Sequence, residues 1–205
     1  MWPPTVRSQL RRAVSWAAVA LLVGPGLLAA CGNDKSDAQR AEDVAATLQE
    51  GLDAHVAGNL DEAEKKYKQV IEDDDQNAFA YYNLALVEQT TNRPEDAEKH
   101  YRQALAINPE FTSALFNLAI LRTAAGATDE ARSLYQQLLA IDPGNASAHL
   151  NLGFLFRDLG QEDDAQREFA AAIAIDPSLQ SRIVGLTGAS GASGASGETG
   201  ADSQG

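Results

Sequence analysis

The chain has 205 residues, with 16 Lys and Arg against 29 Asp and Glu, so its formal net charge is −13. With no clustered stripe of cations, this balance excludes a surface that gathers phosphates by counterion release, and so excludes nucleic acid as a partner. The one cysteine, Cys31, excludes an internal disulfide framework.

At the N-terminus, Arg7, Arg11 and Arg12 come before an almost wholly apolar run from Ala13 to Ala30, broken by Ser15 and by Gly24-Pro25-Gly26. Small residues Ala29 and Ala30 stand just before Cys31. A basic start, a short apolar run and a small-residue cleavage site form the pattern of an export signal over residues 1–30. The apolar run is near the lower length limit for a membrane span, which leaves an uncleaved anchor as the competing reading.

Leu28-Ala29-Ala30-Cys31 resembles the lipobox of bacterial lipoproteins: an aliphatic residue, two small ones, then cysteine. The resemblance implies that the Cys31 thiol receives a diacylglycerol and that Cys31 becomes the first residue of the mature protein. It also implies anchorage to a bacterial cell membrane, on the outer face of the plasma membrane or the periplasmic side of an outer membrane. An ordinary secreted protein with a chance cysteine is the alternative, and Arg11-Arg12 leaves a twin-arginine export route open. One acyl chain holds a protein only marginally, whereas two or three, at about 0.8 kcal/mol per buried CH₂, hold it durably. Loss of residues 1–30 removes three arginines and no acid, so −13 becomes about −16. That charge favours solubility beside an anionic surface and attracts basic partners.

Residues 31–43 read as the lipidated cysteine and a polar linker, most clearly polar from Gly32 to Gln39. A fixed period of 34 residues follows. It relates Ala63, Ala97, Ala131 and Ala165; Tyr67, Tyr101, Tyr135 and Phe169; Gly58, Asn92, Gly126 and Gly160; and Asp75, Pro109, Pro143 and Pro177. Within one period, Ala80-Tyr81-Leu84-Ala85 and Ala97-Tyr101-Ala104-Leu105 both show helical spacing, so each unit holds two amphipathic helices. Gly58, Gly126 and Gly160 are placed to end first helices in a left-handed conformation, and Asn92 substitutes in the second unit. Pro94 fits a first helical turn, and acidic pairs such as Asp61-Glu62 and Glu95-Asp96 complement the dipole at the starts of second helices. Asn108-Pro109, Asp142-Pro143 and Asp176-Pro177 are expected to stop the second helices.

The period, with a small residue, an aromatic and a proline in that order, resembles the tetratricopeptide repeat. The expected fold class is therefore all-α, a solenoid of four tandem helix-turn-helix repeats at 44–77, 78–111, 112–145 and 146–179. Thr47, Glu50 and Asp75 depart from the pattern and make the first unit read as a solvated cap. Residues 180–205 read as a short cap and a tail of Gly-Ala-Ser repeats. Leu179, Ile183, Val184 and Leu186 are placed to cover the last unit. The tail lacks the apolar side chains that would offset ordering entropy and is expected to be disordered.

The resemblance further implies that the first helix of each unit lines a concave groove. By position the lining is Leu48, Leu52 and His55, then Phe79, Tyr82, Leu86 and Gln89, then Phe116, Ile120 and Thr123, then Leu150, Phe154 and Arg157. Asn83, Asn117 and Asn151 run beside these at the same period. Similar proteins use such asparagines to hold a peptide backbone, which an amide suits because it both donates and accepts. Two readings stay open for the asparagines: contact with a ligand, or local hydrogen bonds that repay their poor helix propensity. Two stay open for the apolar lining as well, an exposed groove or core. Phe79, Ser113 and Ser147 stand where chaperone-binding members carry the lysines of a carboxylate clamp. An apolar or extended partner segment is therefore expected.

Enzyme chemistry has little support. His55, His100 and His149 fall in different units, and neither a metal-ligand spacing nor a Gly-rich phosphate loop is present. No cofactor, metal or small-molecule substrate is expected. The reading is a membrane-tethered scaffold or adaptor of the bacterial cell envelope that binds a peptide or protein segment. A self-associating structural module is the first alternative, and a hydrolytic role built on His55 a distant one.

Overall fold

The computed structural model describes residues 36–188, and in these nine α-helices follow one another in sequence. They are α1 (Asp37–Val56), α2 (Leu60–Asp73), α3 (Ala78–Thr90), α4 (Pro94–Ile107), α5 (Thr112–Ala124), α6 (Thr128–Ile141), α7 (Ala146–Asp158), α8 (Glu162–Ile175) and α9 (Leu179–Gly188). The export segment, the lipobox with Cys31 and the distal tail lie outside the described residues.

Four left-handed residues punctuate the array. Gly58, Gly126 and Gly160 have φ of 78°, 74° and 72°, and Asn92 has φ of 59°. Each follows the first helix of a hairpin, where the expectation placed it, and lets the chain reverse at little steric cost. Pro94 occupies the first turn of α4, and acids occupy the first turns of α2, α4, α6 and α8. Second helices end at Ile107, Ile141 and Ile175, each one residue before an Asn-Pro or Asp-Pro step.

One boundary differs from the sequence reading. α1 starts at Asp37, inside the stretch read as linker. Ser36 caps it, its hydroxyl accepting from the Gln39 amide at 3.2 Å, and no Gly or Pro interrupts the run before Gly51. The apolar periodicity nevertheless begins only at Val44, the first buried residue of the helix, because the preceding turns have no neighbour to bury them.

α1–α2, α3–α4, α5–α6 and α7–α8 pair as hairpins, and each hairpin packs on the next through α2–α3, α4–α5 and α6–α7. The alanines at 63, 97, 131 and 165 have no exposed surface, and Tyr67, Tyr101, Tyr135 and Phe169 are buried beside them. Close approach is tightest at Gly51 and Gly153. A methyl built on Gly153 would stand 2.6 Å from the Phe169 ring, and one on Gly51 2.7 Å from the Tyr67 ring. Leu179 and Ile183 of α9 are buried in one cluster with Leu150, Leu152 and Phe169, so α9 closes the last unit as expected.

A candidate peptide-binding cleft on the first-helix face

The first helices converge where three units meet. α3 supplies Tyr82, α5 supplies Thr112, Ser113, Phe116 and Asn117, and Asn145 and Ser147 come from the start of α7. Together they line an open cleft of about 250 Å³. An aromatic ledge borders it. The Phe111 ring lies 4.8 Å from that of Tyr82 and 5.0 Å from that of Phe79, and Tyr82 lies 5.9 Å from Tyr101. Phe79 is 60% exposed, although removing such a ring from water is favourable. The walls thus offer apolar rings together with hydroxyl and amide groups, the mixture that a peptide segment requires.

Of the residues expected to form a groove, Tyr82, Phe116 and Asn117 come together in this cleft. Leu86 and Ile120 are half-buried and pack against the core. Leu150 is a correction. It is 3% exposed and belongs to the core cluster that includes Leu179 and Ile183. The cap helix takes up the apolar face that a further unit would otherwise cover. Phe154 is half-buried with its ring 5.0 Å from Phe169, and the Arg157 guanidinium sits 4.8 Å above the Phe154 ring.

The three asparagines share a register place and face three different neighbours. Asn83 is nearly buried and donates to Phe79 O in its own helix at 2.8 Å. Asn117 donates to the Tyr82 hydroxyl at 3.1 Å, tying the second unit to the third. Asn151 stands beside the Tyr135 phenol and lowers its pKa against the effect of burial. Each therefore has an intrachain polar neighbour, and among them Asn117 lines the cleft.

A second polar row explains the aromatic row. The Tyr67 hydroxyl lies 3.5 Å from His55 Nδ1, the Tyr101 hydroxyl donates to Gln89 Oε1 at 2.8 Å, and Thr123 stands beside the Tyr135 phenol and lowers its pKa against the effect of burial. Burial raises all three phenols, Tyr67 to about 12, so they remain neutral hydrogen-bonding groups. In the fourth unit Phe169 has no hydroxyl, and Arg157, at the place of His55, Gln89 and Thr123, turns onto Phe154 instead.

The other histidines are held by carboxylates. His100 Nδ1 lies 2.7 Å from Glu88 Oε2, and His149 Nδ1 lies 2.6 Å from Glu168 Oε2. Among the described residues no cluster of three or more His, Cys, Asp or Glu is placed to hold a metal ion. Between the first two units, Arg93 makes a two-pronged pair with Glu64, one bond being 3.2 Å from Nη1 to Oε1. The Arg93 hydrogen bond, against an opposing effect of burial and aided by Lys68, lowers the Glu64 carboxyl from 4.5 to about 2.

Sequence reasoning missed Phe111, Thr112 and Asn145. Phe111 had a signal, since it stands 34 residues after Asn77 and before Asn145, an aromatic where both neighbours in register are polar.

Comparison with known proteins agrees with this architecture. The model of the "Cilia and flagella-associated protein 70 middle TPR-like domain" matches residues 48–172, more than half of the chain. No curated protein matches the sequence. Among solved structures, MamA is 23% identical with a TM-score of 0.63, over 67% of this chain and 81% of that one. YrrB, described as a TPR protein with an unusual peptide-binding site, is 23% identical with a TM-score of 0.61, over 73% of this chain and 76% of its own. The first TPR of Spaghetti (RPAP3), bound to the HSP90 peptide SRMEEVD, is 24% identical with a TM-score of 0.56, over 58% and 94%. At these identities the structural likeness is one of fold. The 34-residue register, the stacked hairpins and the family match agree, and the chain belongs to the tetratricopeptide-like repeat family.

Proposed function

We propose that this protein is a scaffold or adaptor of the bacterial cell envelope, tethered by acyl chains on Cys31, that grips a peptide or protein segment along its first-helix face. The observation that carries the binding reading is the cleft shared by three units beside the exposed Phe79 ring and the half-buried Phe111 ring it touches. Burial of those rings by a partner supplies the driving force, since exposed aromatic surface is costly in water. Ser113, Ser147 and the free carbonyl end of Asn117 offer bonds to a peptide backbone. Solved relatives in fold include one with a peptide-binding site and one with a bound peptide. The places that would carry clamp lysines hold Phe79, Ser113 and Ser147, which favours an apolar, extended segment over a terminal carboxylate.

The tether rests on residues 28–31 and on the basic, apolar segment before them. A Cys31→Ser variant is expected to lose metabolic lipid labelling and to accumulate as unprocessed precursor; full labelling would contradict the tether. For the groove, a Phe79→Ala/Phe116→Ala variant is expected to lose its crosslinked partner in intact membranes while keeping its helicity. An unchanged crosslink would contradict the binding face.

A further inference from the structure

Two residues 29 apart mark each joint of the array: Leu48 and Asn77 line one cleft, the Tyr82 ring packs on Phe111, Phe116 and Asn145 line a second cleft, and Leu150 and Leu179 share one core cluster. Phe111 fills the second joint, and the Leu150–Leu179 place is buried. At the first and third joints the later residue is Asn, whose side chain turns away to cap a helix. Asn77 Oδ1 accepts from the Ala80 amide and Asn145 Oδ1 from the Ala148 amide, each at 3.0 Å. Both joints stay open, and the first is the larger, a cleft of about 450 Å³.

The first cleft has an apolar floor of Ala41, Val44, Ala45 and Leu48, and its rim carries Asp37, Asp73 and Asp74 against one cation, Arg40. Arg40 already lies 3.8 Å from Asp37. Asp74 accepts from the Gln76 amide at 3.1 Å and from Asn77 Nδ2 at 3.3 Å. The Asp73 side chain has no ion pair or hydrogen bond among the described residues. Its position is also electrostatically adverse. Glu72 and Asp73 form the last turn of α2, where Ala106-Ile107, Ala140-Ile141 and Ala174-Ile175 stand in the other units, and that turn has no basic residue. Helix carbonyls leave negative charge at a C-terminus, so carboxylates there repel it and a cation relieves both.

We propose that the first-joint cleft receives a Lys or Arg side chain of the bound protein segment. Its aliphatic stem lies over Val44 and Leu48, and its charged head stands at Asp73 and the C-terminus of α2. Long cationic side chains suit such a place because the stem is apolar and the tip is not. This rests on the binding-face reading above and specifies one residue of the partner.

The test selects binders from a random 16-residue peptide phage library on full-length protein in detergent. Enriched sequences are expected to share a Lys or Arg beside apolar residues. Synthetic peptides of those sequences are expected to lose about tenfold in affinity when that residue becomes norleucine, or when the protein carries Asp73→Asn. Asn77→Phe, which installs the residue of the second joint, is expected to exclude the side chain and weaken binding similarly. Its melting transition is measured alongside, and Asp73→Asn and the norleucine peptides decide the matter if it fails to fold. Enriched sequences without a cation, or peptides that bind Asp73→Asn as they bind wild type and are lost on Phe116→Ala, overturn the cleft and leave the binding face standing. No enrichment at all overturns both.

Discussion

The Tyr82 ring packs 4.8 Å from that of Phe111, and this pair closes the joint between the second and third units while the joints on either side stay open. Asn occupies the place of Phe111 at both neighbouring joints, so the backbone there accepts either residue. Phe111→Asn is therefore a clean way to empty the joint. It is expected to cost about 1–3 kcal/mol, less than a fully buried ring because Phe111 keeps some exposure. The denaturant midpoint should fall with an unchanged slope. An unchanged midpoint would mean that the ring pair contributes nothing.

Gly153 and Phe169 test the close approach of paired helices. Alanine at position 153 improves helix propensity by up to about 1 kcal/mol. Its methyl would nevertheless stand 2.6 Å from two Phe169 ring atoms and 3.3 Å from Ala165 O. A buried ring cannot swing aside as a long chain end can, so Gly153→Ala is expected to destabilise by about 1–3 kcal/mol. A Phe169→Leu change in the same chain should remove most of that penalty, which a double-mutant cycle measures as coupling. Additive effects would place the strain elsewhere.

Asn92 and Gly126 share a left-handed role with different residues, at φ of 59° and 74°. Gly126→Ala is expected to lose about 1 kcal/mol, since nothing within 4 Å crowds a methyl there and the backbone alone resists it. Asn92→Gly is expected to be neutral or slightly stabilising. Thermal melts of the two variants should move in different directions, and equal losses would contradict the backbone account.

Glu64 and Arg93 join the first two units, and the carboxyl is lowered from 4.5 to about 2. A group whose folded pKa is depressed gives stability that is fully present above the unfolded value and is lost as pH falls through the folded one. The pair's contribution should thus be intact above about 4.5 and disappear towards about 2. Glu64→Gln is expected to flatten the stability profile across that window and to lower stability at neutral pH. Added salt should shrink the difference, because Arg93 is partly exposed. Parallel profiles for wild type and variant would contradict the pair's role.

Much of the fold was legible because the strongest signals are local. A left-handed residue such as Gly58, a first-turn proline such as Pro94 and a helix-stopping Asp-Pro step each constrain the backbone without help from distant residues. The 34-residue register then multiplied each signal across the units. What escaped depends on neighbours far along the chain. Leu150 reads as groove by register and is core because Leu179 stands in the place of Phe111. Asn83, Asn117 and Asn151 are equivalent in sequence, yet Asn83 bonds a carbonyl of its own helix, Asn117 bonds a phenol of another unit, and Asn151 stands beside the Tyr135 phenol. The start of α1 was hidden for the opposite reason, since unburied helical turns leave no apolar rhythm.

The central claim is that the first-helix face, and not the back of the array, holds the partner. A photo-crosslinking residue at Ser113, inside the three-unit cleft, is compared in intact membranes with one at Lys99, exposed on the second helix α4. The account predicts one discrete adduct from position 113 and none from position 99; no adduct from 113, or the same adduct from both, would contradict it.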